Sequence, residues 1–312
     1  MGLSTNDELV LEQLAERFFK KNYNYLWLRS MIEACAGVPA ASTLITGSSY
    51  ALSGIQERVW RSAINCSMHS QDFYYDYLCA RRAILSAEKQ HFNKCLIITG
   101  YYGAYHDLSC AKVSRESMIG TVYYPIFQDA HNWKFISHRD PWEMIGDIPN
   151  HLKPLCEQIA VQRMQKYGTY YSVRHRKPIF DLNGYTWAQI SEEERINLGE
   201  LRATDHNKLL QYSESYYENK KIFKEFIHFL QQNDVQPIVV IPPFTKEYNR
   251  FIQSELKIGT HDLLNSMQEN ISYVDLNESA GLFDSTDFVD TDHLNARGAE
   301  KFSNILAEKF GI

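Results

Sequence analysis

The 312-residue chain contains no Cys-x-x-Cys pair, no His-Glu-x-x-His and no stretch of about 18 apolar residues, so neither a metal site nor a transmembrane segment is expected from it. Its six cysteines, at 35, 66, 79, 95, 110 and 156, fall in its first half, several in strand- or helix-like contexts, and read as reduced structural thiols. Gly-x-x-x-x-Gly-Lys and Gly-x-Gly-x-x-Gly are missing, which leaves a phosphate-cradling nucleotide fold unsupported. Concentrated positive charge is missing too. The net charge is −6, and only Arg174-His175-Arg176-Lys177 is locally basic, so nucleic acid is not expected as a partner. Met1 to Phe19 is charged and helical in pattern, without the apolar core of a signal peptide, and the expected address is cytoplasmic.

Aromatic side chains are abundant. Tyrosine recurs as Tyr74-Tyr75, Tyr101-Tyr102, Tyr123-Tyr124, Tyr170-Tyr171 and Tyr216-Tyr217; such pairs suit stacking on sugar rings and suit half-buried helix surfaces equally. Residues 6–36 read as one or two helices ended by Gly37-Val-Pro39. Short apolar, β-branched runs then mark strands at 42–46, 61–67, 94–100, 235–244 and 272–276, with helices expected over 51–59, 71–89 and from a Thr204-Asp205 cap to Asn233. Strands alternating with helices predict an α/β fold with a central parallel sheet of about five strands covered on both faces, its loops converging at the strands' carboxyl ends. The Tyr-, His- and Trp-rich section 101–204 is expected to be an insertion or lid after strand three, within a single domain spanning 1–312.

Two local patterns carry chemistry. Gly47-Ser48-Ser49 follows the first strand, and Asp290-Thr-Asp292-His293 precedes a final amphipathic helix. An aspartate three residues before a histidine can orient the imidazole through one nitrogen while the other takes a serine proton. With 16 Asp and 11 His among 312 residues, about half an Asp-x-x-His arises by chance, so the weight comes from its pairing with Ser49. Asp292 stays open as the alternative partner of the histidine. Each pattern also has a bland reading: Ser48-Ser49 as a helix N-cap, and His293 as a helix-entry residue capped by Asp292 or Asn295. Gly-x-Ser-x-Gly is absent around Ser49, which disfavours the α/β-hydrolase fold.

Taken together these residues resemble the SGNH (GDSL-like) hydrolase superfamily, and within it SGNH-like proteins of bacterial surface polysaccharide modification. The resemblance covers the sheet-forming parts of the chain and implies a flavodoxin-like three-layer α/β/α sandwich with Ser49, Asp290 and His293 as catalytic triad. It implies oxyanion donors at Ser49 and Ser67, the latter from Asn65-Cys66-Ser67. Gly100-Tyr101-Tyr102-Gly103 departs from the family's Gly-x-Asn-Asp by lacking the asparagine donor, with Gln71 or Gly100 as candidate replacements. The implied activity is transfer of an acyl group, most simply acetyl, to or from a carbohydrate such as a capsular polysaccharide. No bound cofactor is implied, and acetyl-coenzyme A is the candidate donor. Tyr50, Tyr101, Tyr102, Arg174, Arg176 and Lys177 are the candidate substrate-binding residues. The alternatives are a carbohydrate or lipid esterase, transfer of another activated group, and a silent subunit that binds glycan or a biosynthetic partner.

Overall fold

The computed structural model describes residues 5–39, 42–56, 59–60, 62–87, 92–109, 118–133, 140–146, 148–167, 169–172, 177–179, 186–279 and 281–312. Within these, Met1–Met31 with Leu108–Ile179 form one compact unit, and Ile32–Asp107 with Phe180–Ile312 form another.

Along the chain come α1 (Thr5–Ala34), β1 (Ser42–Gly47), α2 (Ser49–Gly54), β2 (Ala63–Asn65), α3 (Phe73–Ser86), β3 (Phe92–Ile98), α4 (Tyr124–Phe127), α5 (Lys153–Gln165), β4 (Tyr171–Ser172) and β5 (Lys177–Pro178). Then follow α6 (Glu192–Asn207), α7 (Ser213–Gln232), β6 (Gln236–Ile241), α8 (Lys246–Phe251), α9 (Ser254–Asn265), β7 (Ser272–Asp275) and α10 (Ala296–Phe310).

The first unit is built around α1, kinked at Asn22, whose φ of −119° and ψ of 23° leave the helical region. Leu11, Ala15 and Cys156 bury together with Trp142 and Ile159 around them, and Phe18 stacks on Trp142 with centroids 4.1 Å apart. Tyr170 meets Tyr23 edge-on at 5.2 Å, and Tyr171 stacks on Tyr167 at 3.9 Å. Here the tyrosine pair is packing, because each ring has a protein ring against it. Lys177 is exposed in a two-strand antiparallel ladder with β4. Arg174 and Arg176 lie outside the described residues.

The second unit holds a parallel sheet in the order β2-β1-β3-β6-β7. β1, β3 and β6 are central, which is why Ser42–Gly47 is buried throughout and β6 reads as an unbroken apolar run. On one side α2 and α10 pack together, and on the other α3 packs on α7, with Phe73 and Phe223 ring centroids 4.9 Å apart. This is the three-layer α/β/α architecture expected from the strand and helix alternation. Strand order reverses direction at β1, so the crevice at the carboxyl ends of β1 and β3 is the topological switch point where α/β sheets place their ligands.

The boundaries differ from the sequence pattern in two instructive places. The helix after Ser49 ends at Gly54, because Ile55 turns extended at ψ 123°. Thr204-Asp205 caps nothing: both lie inside α6, whose true start is Ser191, accepting from the Glu194 N–H and followed by Glu192, Glu193 and Glu194 in the first turn. A side-chain cap and three acids at the positive end of the helix dipole decide that start.

Gly47 closes β1 at a φ of 137°, and a Cβ there would come 2.3 Å from the Ile98 carbonyl oxygen. Gly47→Ala is therefore expected to destabilise the protein by about 2–4 kcal/mol through backbone strain and overpacking, read as a lowered midpoint in urea unfolding.

Candidate active site

The turn after β1 sets the first functional side chain. Ser48 takes the N-cap position of α2 without a side-chain capping bond, and Ser49, first residue of that helix, directs its Oγ to within 2.8 Å of His293 Nε2. Asp76, buried on α3, accepts from the Gln71 side chain at 2.7 Å and from the backbone N–H of Gly47, which ties the turn to the next layer. Burial pushes the Asp76 carboxyl up to about 8, opposed by the Gln71 hydrogen bond.

The histidine sits on a tight loop closed by an antiparallel bridge between Phe288 and Leu294. Asp290 Oδ1 accepts from the backbone N–H groups of Asp292 (3.0 Å) and His293 (2.8 Å), the side-chain turn that aspartate favours. The same carboxylate lies 3.0 Å from His293 Nδ1 through each oxygen. Asn295 then caps α10 by accepting from the Gly298 N–H, and its amide donates to the Thr286 and Phe288 carbonyls. From the β6 side, Thr245 Oγ1 donates to the Thr291 carbonyl at 2.6 Å. The helix-entry cap is thus Asn295, which leaves the His293 ring for Asp290 and Ser49. Because an ionised carboxylate only accepts, Nδ1 carries the proton, and in the neutral ring Nε2 accepts from the Ser49 hydroxyl.

A second carboxylate stands by the same ring. Asp292 Oδ1 is 3.4 Å from His293 Nδ1, and the Asp292 side chain is 1% exposed where that of Asp290 is 50% exposed. Arg202 Nε donates to both oxygens of Asp292 at 3.1 and 2.9 Å, Tyr50 Oη donates to Oδ2 at 2.7 Å, and Thr291 Oγ1 donates to Oδ1 at 2.9 Å. Burial disfavours charge on both Asp292 and His293, yet their mutual attraction, joined by Arg202 on Asp292 and by Asp290 on His293, outweighs it. Asp292 is held well below the usual carboxylate range and His293 is pushed up to about 9. Arg202 carries no local motif and no pattern in the sequence singles it out. Asp292 is legible as an alternative partner of the histidine, while its burial and its pairing with Arg202 are not.

Several expected site residues serve the fold. Tyr50, Tyr101 and Tyr102 are 3%, 1% and 7% exposed, too buried to stack on a sugar. The Tyr101 hydroxyl donates to Asp275 and accepts from Asn277. Both donor hydrogens of Gln71 are spent, on the Cys66 carbonyl and on Asp76. The Ser67 N–H already donates to Asn65 Oδ1 at 3.1 Å, because the Asn65 side chain folds back over its own strand end. A Cβ on Gly100 would strike the Tyr50 ring at 2.8 Å, so that glycine is explained by ring packing. The Ser49 N–H, in the first turn of α2, has no intrahelical acceptor.

Asp290, Asp292 and His293 bring ligand atoms within 4.8 Å of one another. Asp292 is committed to Arg202, Tyr50 and Thr291, His293 to Ser49, and Asp290 to the His293 ring and two backbone N–H groups of its own loop, and a cation among them would face the Arg202 guanidinium. That donor set does not fit a resident metal. Among the described residues no helix is long and apolar enough to cross a membrane, and Cys35, Cys66, Cys79, Cys95 and Cys156 are buried with no disulfide formed.

No family model matches the sequence, and no curated protein does either. Among solved structures, a Streptococcus pneumonia protein provisionally assigned as a platelet activating factor superposes with a TM-score of 0.44 at 9% identity, covering 99% of each chain. A provisionally assigned acylhydrolase from Bacteroides fragilis gives 0.41 at 8% identity, over 91% of this chain and 95% of that one. At such values the likeness carries no chemistry, and the reading of the site rests on its own geometry.

Proposed function

We propose that the protein is a serine-dependent acyl hydrolase or acyltransferase of SGNH type. The observation that carries this reading is the line from Ser49 Oγ through His293 to Asp290, with contacts of 2.8 and 3.0 Å. His293 Nε2 takes the Ser49 proton as Oγ bonds to the carbonyl carbon of an ester or thioester, and the displaced electron pair moves onto the carbonyl oxygen beside the Ser49 N–H. Collapse breaks the bond to the alcohol or thiol, which leaves with the proton from His293. Water or a sugar hydroxyl, deprotonated by the same imidazole, then attacks the acyl-serine and restores the enzyme.

Within that class we favour O-acetyl transfer to a polysaccharide hydroxyl, with acetyl-coenzyme A as donor, in the cytoplasm where that thioester is made. Its support is the resemblance of Gly47-Ser48-Ser49 to polysaccharide-modifying members of the superfamily, whose general pattern Asp290-x-x-His293 shares. The discriminating assay measures free thiol from acetyl-coenzyme A with and without a polysaccharide acceptor. Release that depends on acceptor supports transfer; equal release in water alone, with turnover of acetyl esters in water, makes the protein a hydrolase.

One observation favours a second reading, a binding subunit without turnover: the Ser67 amide and the Gln71 side chain are both committed within the protein. Loss of a single oxyanion donor costs about 10²–10³ in rate. That reading predicts that Ser49→Ala leaves function intact.

The elevated proton affinity of His293 fixes the sign of the pH dependence. The base must be neutral to accept a proton, so acylation is expected to rise about tenfold per pH unit below the midpoint and to level off near 9. A rate that is flat from pH 6 to 9 contradicts a histidine base in this environment.

A further inference from the structure

We infer that Arg202 is a positioning residue: it occupies the Asp292 carboxylate, so that Asp290 alone takes the hydrogen bond of His293 Nδ1 while Asp292 acts as a buried counter-charge. This inference rests on the reading of His293 as the base for Ser49, although its central test reads the imidazole directly.

Two carboxylates flank one ring nitrogen, at 3.0 and 3.4 Å. Left to itself, the buried Asp292 would be the stronger competitor, since an ionised group out of water seeks the nearest cation or donor. Three donors pre-empt that outcome. Arg202 Nε spans both oxygens, Tyr50 Oη takes Oδ2 and Thr291 Oγ1 takes Oδ1. Arg202 reaches the site from α6, which is free to lie against α8 because Gly199 presents no Cβ: one built there would come 2.7 Å from the Glu247 backbone.

The charges around His293 can be followed element by element. Its own loop brings Asp290 and Asp292, and α6 brings Arg202 and His206. Tyr50 comes from α2, Tyr102 from the segment after β3, and Tyr248 from α8. Burial keeps His206 neutral by pushing it well below its ordinary value, with Arg202 acting in the same direction, and burial likewise raises Tyr50, Tyr102 and Tyr248. Near neutral pH the working charges are therefore Asp290, Asp292, Arg202 and His293. Removing the Arg202 cation must make His293 hold its proton more tightly, and removing the Asp292 anion must do the opposite.

The test is the NMR titration of the His293 ring proton in the full chain, assigned with a His293→Gln variant. Arg202→Gln is expected to raise the midpoint by about one unit and Asp292→Asn to lower it by about one unit. The double variant should return close to wild type, and Arg202→Lys, which keeps the charge, should stay near it. Shifts of the same sign in the two single variants, or none in Arg202→Gln, overturn the proposal. If Arg202→Gln does not fold, Asp292→Asn and Arg202→Lys decide: a midpoint unmoved in the first or raised in the second is contrary. Acylation measured on the same proteins separates the two readings. Opposite imidazole shifts in the two single variants, together with a wild type that never forms an acyl-serine, would sink the serine mechanism and leave the charge network standing.

Discussion

Ser49→Ala is expected to reduce turnover of a short acyl ester by about 10⁴–10⁶, to a residue supplied by binding and the oxyanion amide alone. The size follows from geometry. Ser49 Oγ, the nucleophile of the proposed mechanism, lies 2.8 Å from His293 Nε2, and the substitution deletes that atom while leaving the helix start intact. Because nucleophile and base act as one unit, His293→Ala should cost a similar factor, and the double variant should be no slower than either single one. Steady-state rates on the three proteins check this. Multiplicative losses would mean that serine and histidine work separately.

Asp290→Asn is expected to be the second largest change, lowering the rate by about 10²–10⁴. An amide in place of the carboxylate no longer demands a proton on Nδ1, so the ring is free to turn its protonated nitrogen toward Ser49 and lose its function as a base. Removing one anion also lowers the imidazole's proton affinity, and the acid limb of the rate profile should move to lower pH. A purely structural effect would reduce the rate at every pH and leave the limb in place. The loss lies below that of Ser49→Ala because Asp292, at 3.4 Å, still steadies the ring.

The parts of this site that were legible in the sequence are the parts made by local rules. Gly47-Ser48-Ser49 after a buried strand, the continuous run at 235–244, and Asp290 three residues before His293 depend on neighbours in the chain; the first closes β1 and the second contains β6. α6 falls almost wholly in the section expected to be an insertion although Ser191 and three glutamates mark its start, because weak apolar periodicity makes that section read as irregular. The pairing of Arg202 with Asp292, 90 residues apart, had no local signal at all. Tyr101 and Tyr102 show the opposite error: an aromatic pair after a strand looks like a sugar platform, while in the fold it fills the space beside Tyr50 and Phe244. Periodicity reports which residues are half-buried; it does not report what lies on the other side.

The most direct measurement is the intact mass of wild type and Ser49→Ala after treatment with a serine-reactive fluorophosphonate, followed by peptide mapping. The geometry predicts one adduct on wild type, located on Ser49, and none on the variant. A folded wild type that takes up no reagent across pH 7 to 9, or an adduct that persists in Ser49→Ala, would contradict an activated serine at this position.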